Sequence, residues 1–108
     1  MEQKKKSIMV TWDFSAVSYN ALKHAIKLAH ILKNNILLFH IVNEQSEEES
    51  ASKKMEESVE KIHKDFGEKV SFRVQYGKIF KEIADFASEE ENNINFVIMG
   101  THGMKGGQ

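Results

Sequence analysis

The chain has 108 residues, 41% of them hydrophobic and 29% charged, with neither cysteine nor proline; that is room for one core and no second independent one. Lys and Arg number 15 against 16 Asp and Glu, with five His, for a net charge of -1, so no overall field draws the chain to nucleic acid or an acidic membrane surface. Disulfides, thiolate nucleophiles, iron–sulfur clusters and zinc ribbons are excluded with the cysteines, a composition that suits a reducing cytoplasm.

Lys4-Lys5-Lys6 precede only Ile8-Met9-Val10 before Asp13 intervenes, far short of a signal-peptide core or a membrane span, so the triplet reads as a solvated end. Ile8 to Trp12 reads as the first strand, and Ser15 as the cap of the helix that follows, its hydroxyl accepting from a free N–H of the first turn. In that helix Ala21, Leu22, Ala25, Ile26, Ala29 and Leu32 form an apolar stripe. Asn20, Lys23, Lys27 and Lys33 face water, and Asn34-Asn35 stop the helix. Ile36 to Val42 is nearly continuous in apolar character, as expected of a central strand covered on both faces.

From about Glu47 to Phe66 the chain is heavily charged, yet Ala51, Met55, Val59, Ile62 and Phe66 recur at helical spacing. Glu49–Lys53, Glu57–Lys61 and Glu60–Lys64 are oriented as i,i+4 pairs, predicting an exposed amphipathic helix with a solvated outer face. Val70, Phe72, Val74 and Tyr76 alternate with polar residues, the pattern of an edge strand with one wet face. Ile79, Phe80, Ile83, Ala84 and Ala87 define a third helix, and Ile94 to Met99 a fourth, buried strand before a glycine-rich tail from Gly100 to Gln108. Four strands alternating with three helices, joined by right-handed crossovers, predict an α/β fold: an open, twisted parallel sheet with helices on both faces.

In such a sheet a ligand sits beyond the carboxyl ends of the strands, where the strand order reverses. Asp13, Ile41-Val42-Asn43 and the loop from Gly100 to Gly107 converge there. The glycines leave backbone N–H groups open to an anion, although the loop matches neither the P-loop nor Gly-x-Gly-x-x-Gly, and a plain flexible tail is an equal reading. Asp13 is as consistent with stabilising a helix N-terminus as with contacting a ligand. His102 reads as a turn residue, and Trp12 as core at the border of the cleft. His24, His30, His40 and His63 show no metal-binding spacing and read as surface and core packing. No Gly-x-Ser-x-Gly elbow accompanies Ser15, so neither a catalytic nor a metal site is expected.

Four segments together, Ile8 to Ser15, Ala21 to Ala25, Leu37 to Val42 and Phe96 to Gly103, resemble the universal stress protein family over essentially the whole chain. The resemblance implies a Rossmann-like domain with strand order 3-2-1-4-5, usually dimeric, of which some members bind ATP and others do not. It places the aspartate after strand one and the residue matching Ile41 around the nucleoside, and a Gly-x2-Gly-x9-Gly-Ser/Thr motif on ribose and phosphates. Carried over, the cofactor site would draw on Thr11, Trp12, Asp13, Ile41, Met99, Gly100, His102 and Gly103.

Gly100 and Gly103 match the first half of that motif, while its next glycine would fall past Gln108. Residues 1–108 are therefore expected to be a single domain, incomplete at its C-terminal end. They would have order 3-2-1-4 without the fifth strand and would not bind ATP tightly, alone or with Mg. Trp12 stands where the family usually has a small residue, so its bulk is expected to crowd the nucleoside. The leading functional expectation is an adenine-nucleotide-binding stress or signalling module, cytoplasmic and homodimeric, with at most slow, incidental hydrolysis. The alternative is a dimerising interaction module that binds no nucleotide. An adenylate-forming enzyme ranks last, because Thr11 to Ser15 is not a phosphate loop.

Overall fold

The computed structural model describes residues 5–100. Strand β1 spans Ser7–Thr11, helix α1 Ala16–Leu32, β2 Asn35–Val42, α2 Glu48–Phe66, β3 Ser71–Tyr76, α3 Ile79–Ser88 and β4 Ile94–Ile98. The four strands form one parallel sheet in the order β3-β2-β1-β4, an α/β Rossmann-like arrangement as the sequence predicts.

Because side chains alternate across a strand, the two faces of the sheet receive different residues of β1 and β2. Ile8 and Val10 of β1, with Ile36 and Leu38 of β2, face α1 and α2. There they are buried against Leu22, Ala25 and Ala29 of α1 and Met55 and Ile62 of α2. Met9 and Phe39 point the other way and meet Ile83 of α3. Full burial of a side chain the size of Leu22, Met55 or Ile62 stabilises a fold by roughly 1.5–3 kcal/mol; α1 and α2 supply these three, and β1 and β2 supply Ile8, Met9, Val10, Leu38 and Phe39. β2 is interior, flanked by β1 and β3, and its near-continuous apolar run has a buried face on each side.

Ser15 caps α1, its hydroxyl accepting from the Ser18 N–H at 3.2 Å, and Lys33 ends the helix in the left-handed conformation with φ 56°. Leu32 falls on this last, unwinding turn and is exposed, so the apolar stripe ends at Ala29, and Leu28 packs on the core where Leu32 was expected. α2 closes at Gly67, whose φ of 70° is the left-handed geometry glycine adopts without steric penalty. Phe66, next to that turn, is likewise exposed. The expected i,i+4 pairs along α2 are replaced by Lys61–Asp65 at 3.1 Å; that hydrogen bond holds the lysine above its ordinary pKa.

In α3 the inward face runs through Ile83, Phe86 and Ala87. Phe80 is 71% exposed and Ala84 is also at the surface, a rotation of the stripe relative to the sequence reading. β4 differs too. Expected as a buried strand, it is half-buried along its length with Phe96 exposed, because among the described residues it is paired on one side only. Its pairing to β1 shifts between Ser7 and Ile8. Asn95 falls at that shift, between the partners of Ser7 and Ile8, and its amide donates to the Asn34 side chain at 2.9 Å.

Candidate functional site

The turn from β1 into α1 is built by short polar side chains. Asp13 Oδ1 accepts from the Ser15 N–H at 3.0 Å, from the Ser18 hydroxyl at 2.7 Å and from the Ser15 hydroxyl. The Asp13 N–H donates to Ser18 Oγ at 2.9 Å, so the buried hydroxyl of Ser18 is both acceptor and donor to the same residue. Of the two sequence readings of Asp13, the helix-end role is realised in these bonds. Phe14 follows with φ 68°, a left-handed conformation that costs a bulky residue roughly 1–2 kcal/mol and persists where neighbouring contacts over-determine it. Those contacts are the edge of the His40 ring, centroids 4.9 Å apart, and the Lys54 ammonium 4.7 Å above the Phe14 ring.

Trp12 is 2% exposed, its indole edge-on to Tyr19 in the core under α1 and α2. The ring's bulk is thus taken up by the core. Its Nε1–H has no partner among the described residues. An unsatisfied buried donor costs about 1–3 kcal/mol, whereas burying about 150–250 Å² of aromatic surface is worth roughly 4–6 kcal/mol, so burial wins.

Beside this turn lies a cleft of about 210 Å³, at the carboxyl ends of β1, β2 and β4. Thr11, Trp12, Asp13, Ile41, Met99 and Gly100 all border it, which brings six of the eight sequence-predicted site residues together; His102 and Gly103 lie outside the described residues. Val17, Ser18, Phe39, His40 and Ile79 complete its wall and were not singled out in the sequence as site residues. Ser18 had a signal, its spacing from Asp13 and Ser15, but Ile79 comes from a distant helix and carries none. Gly100 passes so close to α1 that a Cβ there would lie 2.4 Å from Val17 Cγ1 and 2.9 Å from the Val17 carbonyl oxygen. No other residue fits at that point without displacing the helix.

A wider groove of about 680 Å³ adjoins the cleft, sharing Ile41 and Ile79 and continuing past Asn43, Tyr76 and Lys78. Volume alone would favour the groove. The cleft is the better candidate site because it sits between β1 and β4, where the strand order reverses. Among the described residues no three His, Asp or Glu side chains gather as a metal site, and no helix is long and apolar enough to cross a membrane.

A parallel sheet of order 3-2-1-4 with a cleft at its switch point defines a Rossmann-like α/β domain. Residues 5–108 match the model of the universal stress protein family. Among solved structures, the chain is similar to the universal stress protein UspA from Lactobacillus plantarum, with 16% identity and a TM-score of 0.72 over 99% of this chain and 84% of that one. It is similar to a universal stress protein family member from Burkholderia pseudomallei at 18% identity and TM-score 0.68, covering 90% and 82% of the two chains. Hypothetical protein MJ0577 shares 30% identity and a TM-score of 0.61 over 94% of this chain and 78% of its own. No curated protein gave a match. The chain belongs to the universal stress protein family.

Proposed function

We propose that the chain is an adenine-nucleotide-binding stress or signalling module of the family, with ATP as a ligand and any hydrolysis slow and incidental. The observation that supports this reading is the convergence of three strand ends on one cleft whose wall is apolar at Phe39, Ile41, Ile79 and Met99 and polar at Asp13, Ser18 and His40. Apolar walls with a few placed polar groups suit a planar heterocycle. At about 210 Å³ the cleft is small, so it takes the base while ribose and phosphates extend outward past Gly100. Affinity is accordingly weak. ATP, alone or with Mg, would supply the anionic tail for the backbone N–H groups of the glycine-rich segment. Calorimetric titration with ATP, run beside Asp13→Ala and Ile79→Glu, tests the assignment: heat of binding in the parent and its loss in Ile79→Glu are expected. Parent-like binding in both variants contradicts it.

We further propose that the chain self-associates through β4, as a homodimer. The half-buried strand and the exposed Phe96 offer the kind of edge that recruits another chain, and neither Lys nor Pro occurs within Ile94–Ile98 to block it. Light scattering over a concentration series is expected to show a dimer in the parent and a monomer in Phe96→Lys. A monomeric parent refutes this.

A further inference from the structure

One peptide plane leads from β1 into the turn that carries Asp13, and both of its polar atoms are held by side chains. The Asp13 N–H donates to Ser18 Oγ of α1 at 2.9 Å. The Trp12 carbonyl, on the same peptide, lies one residue past the last β1–β2 register pair, Thr11 with Phe39. It accepts from Nδ1 of His40 on β2 at 2.6 Å. A carbonyl only accepts, so that ring nitrogen carries the proton. The sequence reading of His40 as packing is therefore incomplete: the same ring forms a backbone clamp, meets the Phe14 ring edge-on and borders the cleft.

We propose that His40 is a positioning residue for the cleft, its Nδ1–H fixing the Trp12–Asp13 peptide and so the left-handed Phe14 and the carboxylate of Asp13 beside the ligand. The Trp12 N–H is held by the Phe39 carbonyl at 2.8 Å, which stops the strand from sliding. His40 of β2 and Ser18 of α1 hold the next peptide from opposite elements. Loss of the His40 donor lets that plane turn and releases the Asp13 N–H from Ser18. The effect on ligand affinity rests on the nucleotide reading above; the effect on the peptide does not.

Asparagine places an amide N–H close to where Nδ1–H sits. Leucine keeps volume without a donor, and glutamine carries its donor one bond further out. Hydrogen exchange at the Asp13 amide by NMR, with urea unfolding as a check on the fold, is measured for His40→Asn, His40→Leu and His40→Gln, and ATP is titrated into each. In His40→Leu the amide is expected to exchange about ten-fold faster and ATP to bind about ten-fold more weakly, the scale of one lost hydrogen bond. His40→Asn stays within about three-fold of the parent on both readouts. If the leucine variant does not fold, His40→Gln takes its place with the same expectation. Should the parent take up no ATP, the nucleotide reading fails and the exchange measurement alone decides the role of His40. Unchanged exchange in the variants that lack the donor, or an asparagine variant as impaired as they are, overturns the proposal.

Discussion

The two faces of the sheet are unequally covered, although the same strands supply both. Among the described residues, twelve buried side chains on the face of α1 and α2 form one cluster that includes Ile8, Val10, Leu22, Leu38, Met55 and Ile62. On the face of α3, three of the described residues are buried in the second cluster, Met9, Phe39 and Ile83. The difference separates labour within the domain: the thick face carries the stability, and the thin face leaves an opening. The apolar wall of the cleft, Phe39, Ile41 and Ile79, belongs to the thin side, where, among the described residues, one helix of ten residues leaves the strand ends accessible.

Removing side chains from each face tests that division. Leu22→Ala, on the thick face, should destabilise by about 3–5 kcal/mol, since a fully enclosed site cannot collapse around the cavity. Ile83→Ala should lose about 2 kcal/mol, the low end for such a substitution, because the thin face relaxes more readily. Urea unfolding of the two variants reads the contrast directly, and equal losses would erase it. Gly100→Ala should then lose about 1 kcal/mol net, the overlap with Val17 outweighing the stiffening of the unfolded chain. In the same variant the neighbouring Met99 amide should shift in its NMR spectrum. Phe80→Ser, at an exposed position of α3, should stay within about 0.5 kcal/mol of the parent.

The smallest effect is electrostatic. Lys61 is raised above its ordinary pKa by its hydrogen bond to Asp65. Whatever the pair contributes is therefore fully present below the ordinary lysine value and is lost as pH rises through the raised one. Asp65→Asn should lower the Lys61 titration in an NMR pH series and leave unfolding near neutral pH unmoved, as expected of a solvent-screened pair.

Apolar runs in the sequence marked the strands, and Ile36 to Val42 read as central because burial on two faces writes itself as an unbroken run; the strand order came from the resemblance to the universal stress protein family. The sequence misplaced Leu32, Phe66 and Phe80 for a shared reason. Periodicity marks the apolar arc of a helix but neither the turn at which the helix unwinds nor the direction in which that arc meets the sheet. β4 read as buried because its residues apart from Asn95 are apolar, although the order 3-2-1-4 expected from the resemblance already put it at the edge where it stands among the described residues. At the site, Asp13, Ile41 and Gly100 were legible from their places at or just past the carboxyl ends of strands, which topology alone brings to one end of the sheet. His40 was not, since its partner is the Trp12 carbonyl and the bond exists only once the turn has closed; Ser18 was signalled only by its spacing from Asp13 and Ser15.

The most direct test of the cleft assignment is an amide chemical-shift map of the full chain with increasing ATP. Shifts are expected at Thr11, Asp13, Ser18, Ile41 and Ile79, at the carboxyl end of the sheet. No change is expected around the pair of His30 and Glu68, which lies in a separate groove beside Asn35 at the start of β2. Shifts centred on His30 and Glu68, or no shifts at saturating ATP, would contradict the account.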